Sequence, residues 1–310
     1  MDVKLSLASA IHLNLKPGKL NFPVSTIYIM FGEKCMSNCA FCAQASSHAQ
    51  ENMLSRVPWY SYEPERVIEK LKLSKTERIC IQTLDYPYLE EELFSFLSIL
   101  KNLNMQVSIS INPIFTASII KLKDYADTIS IALDAATPEL FEKYKGRTVG
   151  NRFTWDSHWD ALLNAKKIFK NVNTHIIVGL GERDRDLIEL MLKLKNENIS
   201  IALFAYTPIN KDLNLNYPDM NRYRKVQLAR YIIETYGAKI QNFEFENNIL
   251  KNINFENIDK VINEGLAFMT SGCKGCNRPY YNERPGKALY NIPHHPSSEE
   301  IKLVKKELKP

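Results

Sequence analysis

Five of the six cysteines fall into two short runs, and thiols gathered this way are the strongest chemical feature of the chain. The first run is Cys35-Met-Ser-Asn-Cys39-Ala-Phe-Cys42. Three thiolates so close together can each take one iron of a [4Fe–4S] cubane, which leaves the fourth iron without a local protein ligand. An open coordination position suits binding and activation of a small molecule, as at catalytic metals generally. The alternative is a zinc knob, which needs four ligands, and His48 is the nearest candidate for the fourth. The second run is Ser271-Gly-Cys273-Lys-Gly-Cys276-Asn-Arg-Pro, whose glycines let both sulfurs turn toward one metal. Cys80 would complete a second set of three, with Ser271, Arg278, His294 and His295 as candidates for a fourth ligand. Against this stand a zinc-ribbon fragment or a plain turn for the Cys-x2-Cys, and a small buried apolar side chain for Cys80.

These thiols need a scaffold, and the hydrophobic pattern supplies one. Short β-like runs at 26–31, 78–83, 106–111, 128–133, 173–180 and 200–206 alternate with helical runs. The helices are predicted at 64–73, 89–103, 115–125, from Pro138, and at 155–169, 185–197 and 222–236. Weaker signals follow: a strand near 239–245, a helix near 257–264 and a strand near 266–270. Such alternation argues for an α/β fold with a parallel sheet and helical crossovers. Six units are clear and eight are plausible, so a TIM-type (β/α)8 barrel is expected, with an open (β/α)6 partial barrel as the alternative. The first cysteine run follows the first strand, in a loop at the C-terminal face where such barrels place their active sites. Cys80 reads as ending the second strand, and the second cysteine run as following the last one, both on that same face. Residues 1–270 read as the barrel, and 271–310 as an extension of the same domain that carries metal ligands. The tail NRPYYNERPGKALYNIPHHP is too rich in Pro and Asn for a regular helix, and either lies over the barrel mouth as a lid or simply packs.

Composition sets outer bounds. With 310 residues, 45% hydrophobic and 24% charged, the chain is an ordinary globular protein with room for a large core. No apolar stretch approaches the roughly 18 residues a bilayer span requires, and the opening MDVKLSLASAIHLNL mixes in charge, so neither membrane nor signal peptide is expected and the cytoplasm is. A net charge of +5 is too mild for a nucleic-acid binder. Lys302, Lys305, Lys306 and Lys309 crowd one segment, which reads as a solvated last helix or as a face for an acidic protein.

The first run, with aromatic Phe41 before its last cysteine, resembles the signature of the radical S-adenosylmethionine superfamily. That resemblance implies that S-adenosyl-L-methionine chelates the open iron through its amine and carboxylate. An electron from the cluster then cleaves the cofactor and releases a 5′-deoxyadenosyl radical. Later segments, over roughly 25–270, resemble the biotin synthase branch. They imply cofactor contacts at Gln82 and Thr83 (amine), Asp134 in LDAATPE (ribose), Arg152 (carboxylate), and Val178, Gly179 and Glu182 in IIVGLGE (adenine). Simpler readings are a helix start at Asp134–Pro138, a surface cation at Arg152, and a turn at Gly179 and Gly181. Biotin synthase holds a second, [2Fe–2S] cluster on three cysteines and an arginine. Here only Cys80 remains, with Ser108, Asn173 and Phe243 near the other three positions, which points away from biotin synthesis. The set Cys80, Cys273 and Cys276 is expected to hold a second [4Fe–4S] cluster instead. Such a barrel with a CxxCNRPxYNERP-type tail resembles the archaeal two-protein lipoyl synthases. The resemblance implies sulfur insertion at C6 or C8 of an octanoyl chain on a lysine of a lipoyl-domain or H-type carrier protein, with the second cluster as sulfur donor. It also implies a second radical S-adenosylmethionine protein as partner and an electron donor such as ferredoxin. The rival readings are a radical methylase or mutase acting on a small molecule, and a non-enzymatic iron–sulfur or zinc protein.

Overall fold

Runs such as TIYIMF and RICIQT are too short for helices and rich in β-branched residues, and they form strands whose side chains are almost wholly buried. The computed structural model describes residues 2–47, 50, 52–114, 116–279, 281–282 and 288–309. In chain order the strands are β1 (Val3–Ser6), β2 (Thr26–Phe31), β3 (Met53–Leu54), β4 (Val57–Tyr62), β5 (Arg78–Thr83), β6 (Gln106–Ser110), β7 (Thr128–Ser130), β8 (Asn171–Val178), β9 (Ser200–Ala205), β10 (Phe243–Glu246) and β11 (Ile249–Ile253). The helices are α1 (Leu7–His12), α2 (Pro64–Leu73), α3 (Leu89–Leu100), α4 (Thr116–Leu122), α5 (Pro138–Tyr144), α6 (Trp155–Ile168), α7 (Asp184–Asn196), α8 (Met220–Tyr236), α9 (Ile258–Glu264) and α10 (Ser298–Glu307). None is long and apolar enough to cross a membrane among the described residues.

Nine strands form one curled sheet in the order β3-β4-β1-β2-β5-β6-β7-β8-β9. The six from β2 to β9 in this order are parallel. Of the two barrels expected, the open six-stranded form is the one observed, not the eightfold closure. The predicted strand near 239–245 is instead an antiparallel hairpin, β10–β11, outside the main sheet. The one near 266–270 is a 3-10 turn at Leu266–Phe268 with a single bridge from Met269 to Ile292. On its other side the parallel sheet continues into β1 and β4, antiparallel strands that extend the wall.

The C-terminal segment covers the open edge. Ser271 Oγ accepts the Leu203 N–H at 2.9 Å and Asn291 Nδ2 donates to Leu203 O at 3.3 Å. The Asn282 amide accepts from Ala205 N and donates to Ala205 O. An edge strand otherwise presents unpaired groups to any passing chain, so these side chains do for β9 what a seventh strand would do. Gly272 has φ +112°, and a Cβ there would fall 2.8 Å from Ala202 Cβ, so only glycine lets the segment lie this close. On the far side, Ser55 Oγ in the β3–β4 turn donates to Tyr281 O at 2.6 Å. Inside, alternate residues of the strands face a lumen: Tyr28 and Met30, Cys80 and Gln82, Ser108 and Ser110, Asn173 and His175, Ala202 and Phe204.

Candidate metal and cofactor site

The loop after β2 carries Cys35, Cys39 and Cys42, and its neighbours hold it by the backbone. Met36 N donates to Asp85 O at 2.7 Å, Ala40 N to Tyr144 O at 2.8 Å, and Asn38 N to Asn151 Oδ1 at 2.5 Å. N–H groups also point at the sulfurs: Asp85 N at Cys35 (3.4 Å), Gln44 N at Cys42 (3.4 Å) and Asn151 Nδ2 at Cys39 (3.6 Å). Burial pushes all three thiols up, Cys42 to about 12 and Cys39 further, while the Lys145 ammonium pulls Cys39 back. The metal-free thiols therefore hold their protons, and a metal must displace them. Among the described residues no three His, Cys, Asp or Glu side chains close on a single ion. Three side chains closing on one ion would be the geometry of a mononuclear site, whereas in a cubane each thiolate sits on its own iron. A donor set of three sulfurs with amides aimed at them fits such a cluster.

The three sulfurs line a cavity of about 190 Å³ together with Phe41, Gln82, Thr83, Asp134, Lys145 and His175. Asp134 has φ +63°, and its backbone, beyond the end of β7, pairs with β8 through His175 O and Ile177 N. Its carboxylate meets Lys145 Nζ at 2.7 Å, in a pair whose side chains are only 4% and 12% exposed. Lys145 was not foreseen from sequence, because nothing marks a lysine at the end of α5 as buried. His175 on β8 meets Ser130 Oγ at 3.1 Å and stacks edgewise on Phe204. Burial, against the pull of Asp134, lowers its pKa to about 4, so the imidazole is neutral.

Four other expected cofactor residues do not line this cavity. Arg152 is 68% exposed and paired with Asp85 at 2.7 Å, and it does not line the cavity. Val178 is fully buried outside it, and Ile177 takes the lining position. Gly179 and Leu180 donate their N–H groups to Glu182, whose carboxylate is also held by Arg222, so IIVGLGE forms a self-capped turn.

The second set lies lower in the lumen than the sequence suggested. Cys80 is the third residue of β5 and not its last. The Cys273–Cys276 turn packs against the N-terminal end of β2, where Ser25 Oγ and Thr26 Oγ1 donate to Gly275 O at 2.6 and 3.1 Å. This set is therefore at mid-height and below, and not on the face of the first cysteine loop. The segment reaches down there because it runs along the open edge beside β9. Cys80, Cys273 and Cys276 line a cavity of about 670 Å³. Burial first, then the neighbouring sulfurs, push Cys80 to about 11 and Cys273 to about 12. Arg278, with φ +30°, lays its guanidinium 4.0 Å over the Phe204 ring and donates to Ser271 O at 2.8 Å. Its charge faces the sulfurs and lowers the cost of ionising Cys80 and Cys273. Of the candidate fourth ligands, Ser271 and Arg278 line this cavity. His294 and His295 do not: they stand beside α10, where His294 faces Glu300. Ser108 and Asn173 line it, whereas Phe243 is in the outer hairpin. His48 lies outside the described residues, as do 280 and 283–287 of the tail expected as a lid.

The two cavities are continuous, since Ser55, Gln82, Ser110, His175, Phe204 and Tyr281 line both. Toward the N-terminal end of the barrel the larger one runs between Leu7, Ile11, Leu20 and Phe22. Three buried donors lining it have no partner among the described residues: Arg56 Nε, Trp59 Nε1 and Asn173 Nδ2. Trp59 and Tyr28 escaped the sequence reading, since a residue in a continuous buried run gives no sign of which face it takes.

Comparison with known proteins fits this geometry. The chain is 26% identical over 183 residues to a biotin synthase of Methanococcus aeolicus, covering 56% of this chain and spanning about half, 53%, of that relative. Its fold is similar to that of methylornithine synthase (PylB; TM-score 0.52, 16% identity, 67% of this chain and 61% of that one). It is similarly close to the [FeFe]-hydrogenase maturase HydG of Carboxydothermus hydrogenoformans (TM-score 0.51, 16%, 67% and 51%). Streptococcus suis SuiB gives TM-score 0.51 at 16% identity, over 75% of this chain and 50% of that one. Residues 29–194, more than half of the chain, match the model of the Radical SAM superfamily. The match begins just before the cysteine loop and takes in the end of β2 and all of β5 to β8, and on it the chain belongs to that superfamily, whose enzymes use S-adenosyl-L-methionine at a [4Fe–4S] cluster.

Proposed function

We propose that the chain inserts sulfur into an unactivated C–H bond, as one component of a lipoyl synthase acting on an octanoyl-lysine of a lipoyl-domain or H-type carrier protein. The observation that carries this reading is the second thiol set, Cys80, Cys273 and Cys276, in the same continuous lumen as Cys35, Cys39 and Cys42. When bound, a [4Fe–4S] cluster with S-adenosyl-L-methionine at the upper set supplies the radical, and a second [4Fe–4S] cluster at the lower set supplies the sulfur. The chain's own residues shape what lies between. Phe204 and Tyr281 pack with ring centroids 5.0 Å apart and planes tilted by 59°, beside neutral His175, and form an apolar wall that excludes water at the junction. Leu7, Ile11, Leu20, Phe22 and Trp59 give the lower lumen the walls an alkyl chain requires. The unpartnered donors on Arg56, Trp59 and Asn173 call for a ligand that brings acceptors, as an acyl amide does. Gln82 and Thr83 face the first cavity beside the cysteines, where they suit the cofactor's amine, and Asp134 its ribose.

The reading extends to partners. The lysines of α10, Lys302, Lys305 and Lys306, suit an acidic carrier surface. A second radical S-adenosylmethionine protein would treat the other carbon, and ferredoxin would supply electrons. The cytoplasm keeps such thiols reduced.

The test is a count of iron and acid-labile sulfide after anaerobic reconstitution, beside the Cys273→Ala/Cys276→Ala variant. Two cubanes predict about eight irons falling to about four in the variant. Thiolated octanoyl-lysyl carrier must then form with loss of cluster sulfide. About four irons in both chains would remove the sulfur donor and leave a radical enzyme acting on a small molecule.

A further inference from the structure

Tyr28 stands on β2 in register with Cys80 on β5, and its ring packs with Met30, Trp59 and Cys80. Its hydroxyl is 3.4 Å from Cys276 Sγ. The same oxygen receives the backbone N–H of Asn277 at 3.1 Å and of Arg278 at 2.9 Å. A hydroxyl offers about two acceptor positions and one hydrogen. The two amides fill the acceptor positions, so the oxygen cannot also accept from a Cys276 thiol. Its hydrogen must go outward, and two acceptors are in reach: Cys276 Sγ and, at 3.5 Å, Asn277 Oδ1. The Asn277 side chain is already engaged, its Nδ2 donating to Pro23 O at 2.8 Å. A thiolate is the stronger acceptor, because hydrogen bonds to ionised groups are about twice as strong as neutral ones.

We infer that Tyr28 is the positioning residue of the lower cysteine set. It pins the turn after Cys276 through two amides and donates a hydrogen bond to the Cys276 thiolate when that thiolate holds metal. The inference rests on the second cluster proposed above. The pin explains how Arg278 keeps φ +30°, a conformation L residues rarely hold: the Tyr28 oxygen anchors its N–H while Ser271 O anchors its guanidinium. The donated hydrogen bond also has an electronic effect. It draws charge from the ligand sulfur, which favours the reduced cluster and raises its potential.

The test uses the full chain with Cys35→Ala/Cys39→Ala/Cys42→Ala, so that only the lower set can hold iron, with and without Tyr28→Phe. That change keeps the ring and its packing and removes only the hydroxyl. Iron is counted, and the potential is measured by an anaerobic redox titration followed by electron paramagnetic resonance. The expected result is about four irons in the parent chain and a more negative potential with phenylalanine. An equal potential with equal iron would overturn the hydrogen bond to sulfur. No iron in the parent chain would instead overturn the second cluster itself. If Tyr28→Phe fails to assemble the cluster, 3-fluorotyrosine at position 28 takes its place. It has nearly the same shape and is a stronger donor, so the potential should rise, and an unchanged potential would refute the inference.

Discussion

Replacing Lys145 with methionine removes one half of the Asp134–Lys145 pair and keeps most of the side-chain volume. The two charges meet at 2.7 Å with 4% and 12% of their side chains exposed, so water can do little for Asp134 once its partner is gone. Lys145 Nζ also donates to Ala132 O at 2.5 Å, and that carbonyl loses its partner too. Breaking a buried pair from one side costs about 3–5 kcal/mol, mostly for the charge left behind. Asp134→Asn should recover most of the loss in the double variant, because asparagine tolerates the positive φ and carries no charge. The assay is urea unfolding of the metal-free chains followed by far-UV circular dichroism, run as a double-mutant cycle. A loss below about 1 kcal/mol for Lys145→Met is the value typical of a solvated surface pair and would refute the buried-pair argument. Lys145 has a second effect. It pulls the Cys39 thiol down against burial, so without it that thiol keeps its proton to higher pH. Iron uptake at the upper set should therefore need a more alkaline buffer in Lys145→Met.

Two further predictions separate the cysteine sets and test the lumen wall. Cys273→Ala should leave cleavage of S-adenosyl-L-methionine intact and abolish sulfur insertion, while Cys39→Ala should abolish both. Thiolated product from Cys273→Ala would refute the donor role. Burial lowers the pKa of His175 to about 4 in the folded chain, against 6.5 for the free side chain. Its contribution to stability is thus complete above pH 6.5 and is lost as pH falls toward 4, with a ceiling of about 3 kcal/mol. Urea midpoints of the metal-free chain and of His175→Gln, compared at pH 7 and pH 4.5, should show the wild type losing more. Parallel losses would count against a buried neutral imidazole.

The parallel half-barrel was legible because its strands are short apolar runs that alternate with helical runs, some of them with a clear start. Thr137 with Pro138, and Thr154 with Ser157, cap α5 and α6 as their sequences suggest. The extra units failed for a definite reason. FEFE in β10 has a strand's composition, but composition does not say whether a strand pairs with its neighbour in a hairpin or joins a distant sheet. The closure of β9 left no periodic trace, since Ser271, Asn282 and Asn291 make it with side chains. The short β1 and β3, and β4 with its internal Pro58, are equally weak signals. The thiols were legible by type and spacing, but that Cys80 and the second run meet in one lumen was not, since no local pattern ties residues so far apart. Their height was not, because it depends on how deep the segment after Leu266–Phe268 descends. Asp134 faces the first cavity, yet its partner Lys145 is unremarkable in sequence, and Arg152 turns outward to Asp85.

The segment that covers the sheet edge also sets an order of events during synthesis. Tyr28 and Cys276 touch although 248 residues separate them along the chain. A contact of that span carries a large loop-closure cost and forms only after much else has folded. Until residues 271–282 leave the ribosome, β9 is a bare edge able to recruit strands from other nascent chains. Until then Cys80 has neither of its two companions. Filling of the lower set therefore waits on its last two ligands, whereas the upper cysteine loop needs only contacts up to Asn151 to be held in place.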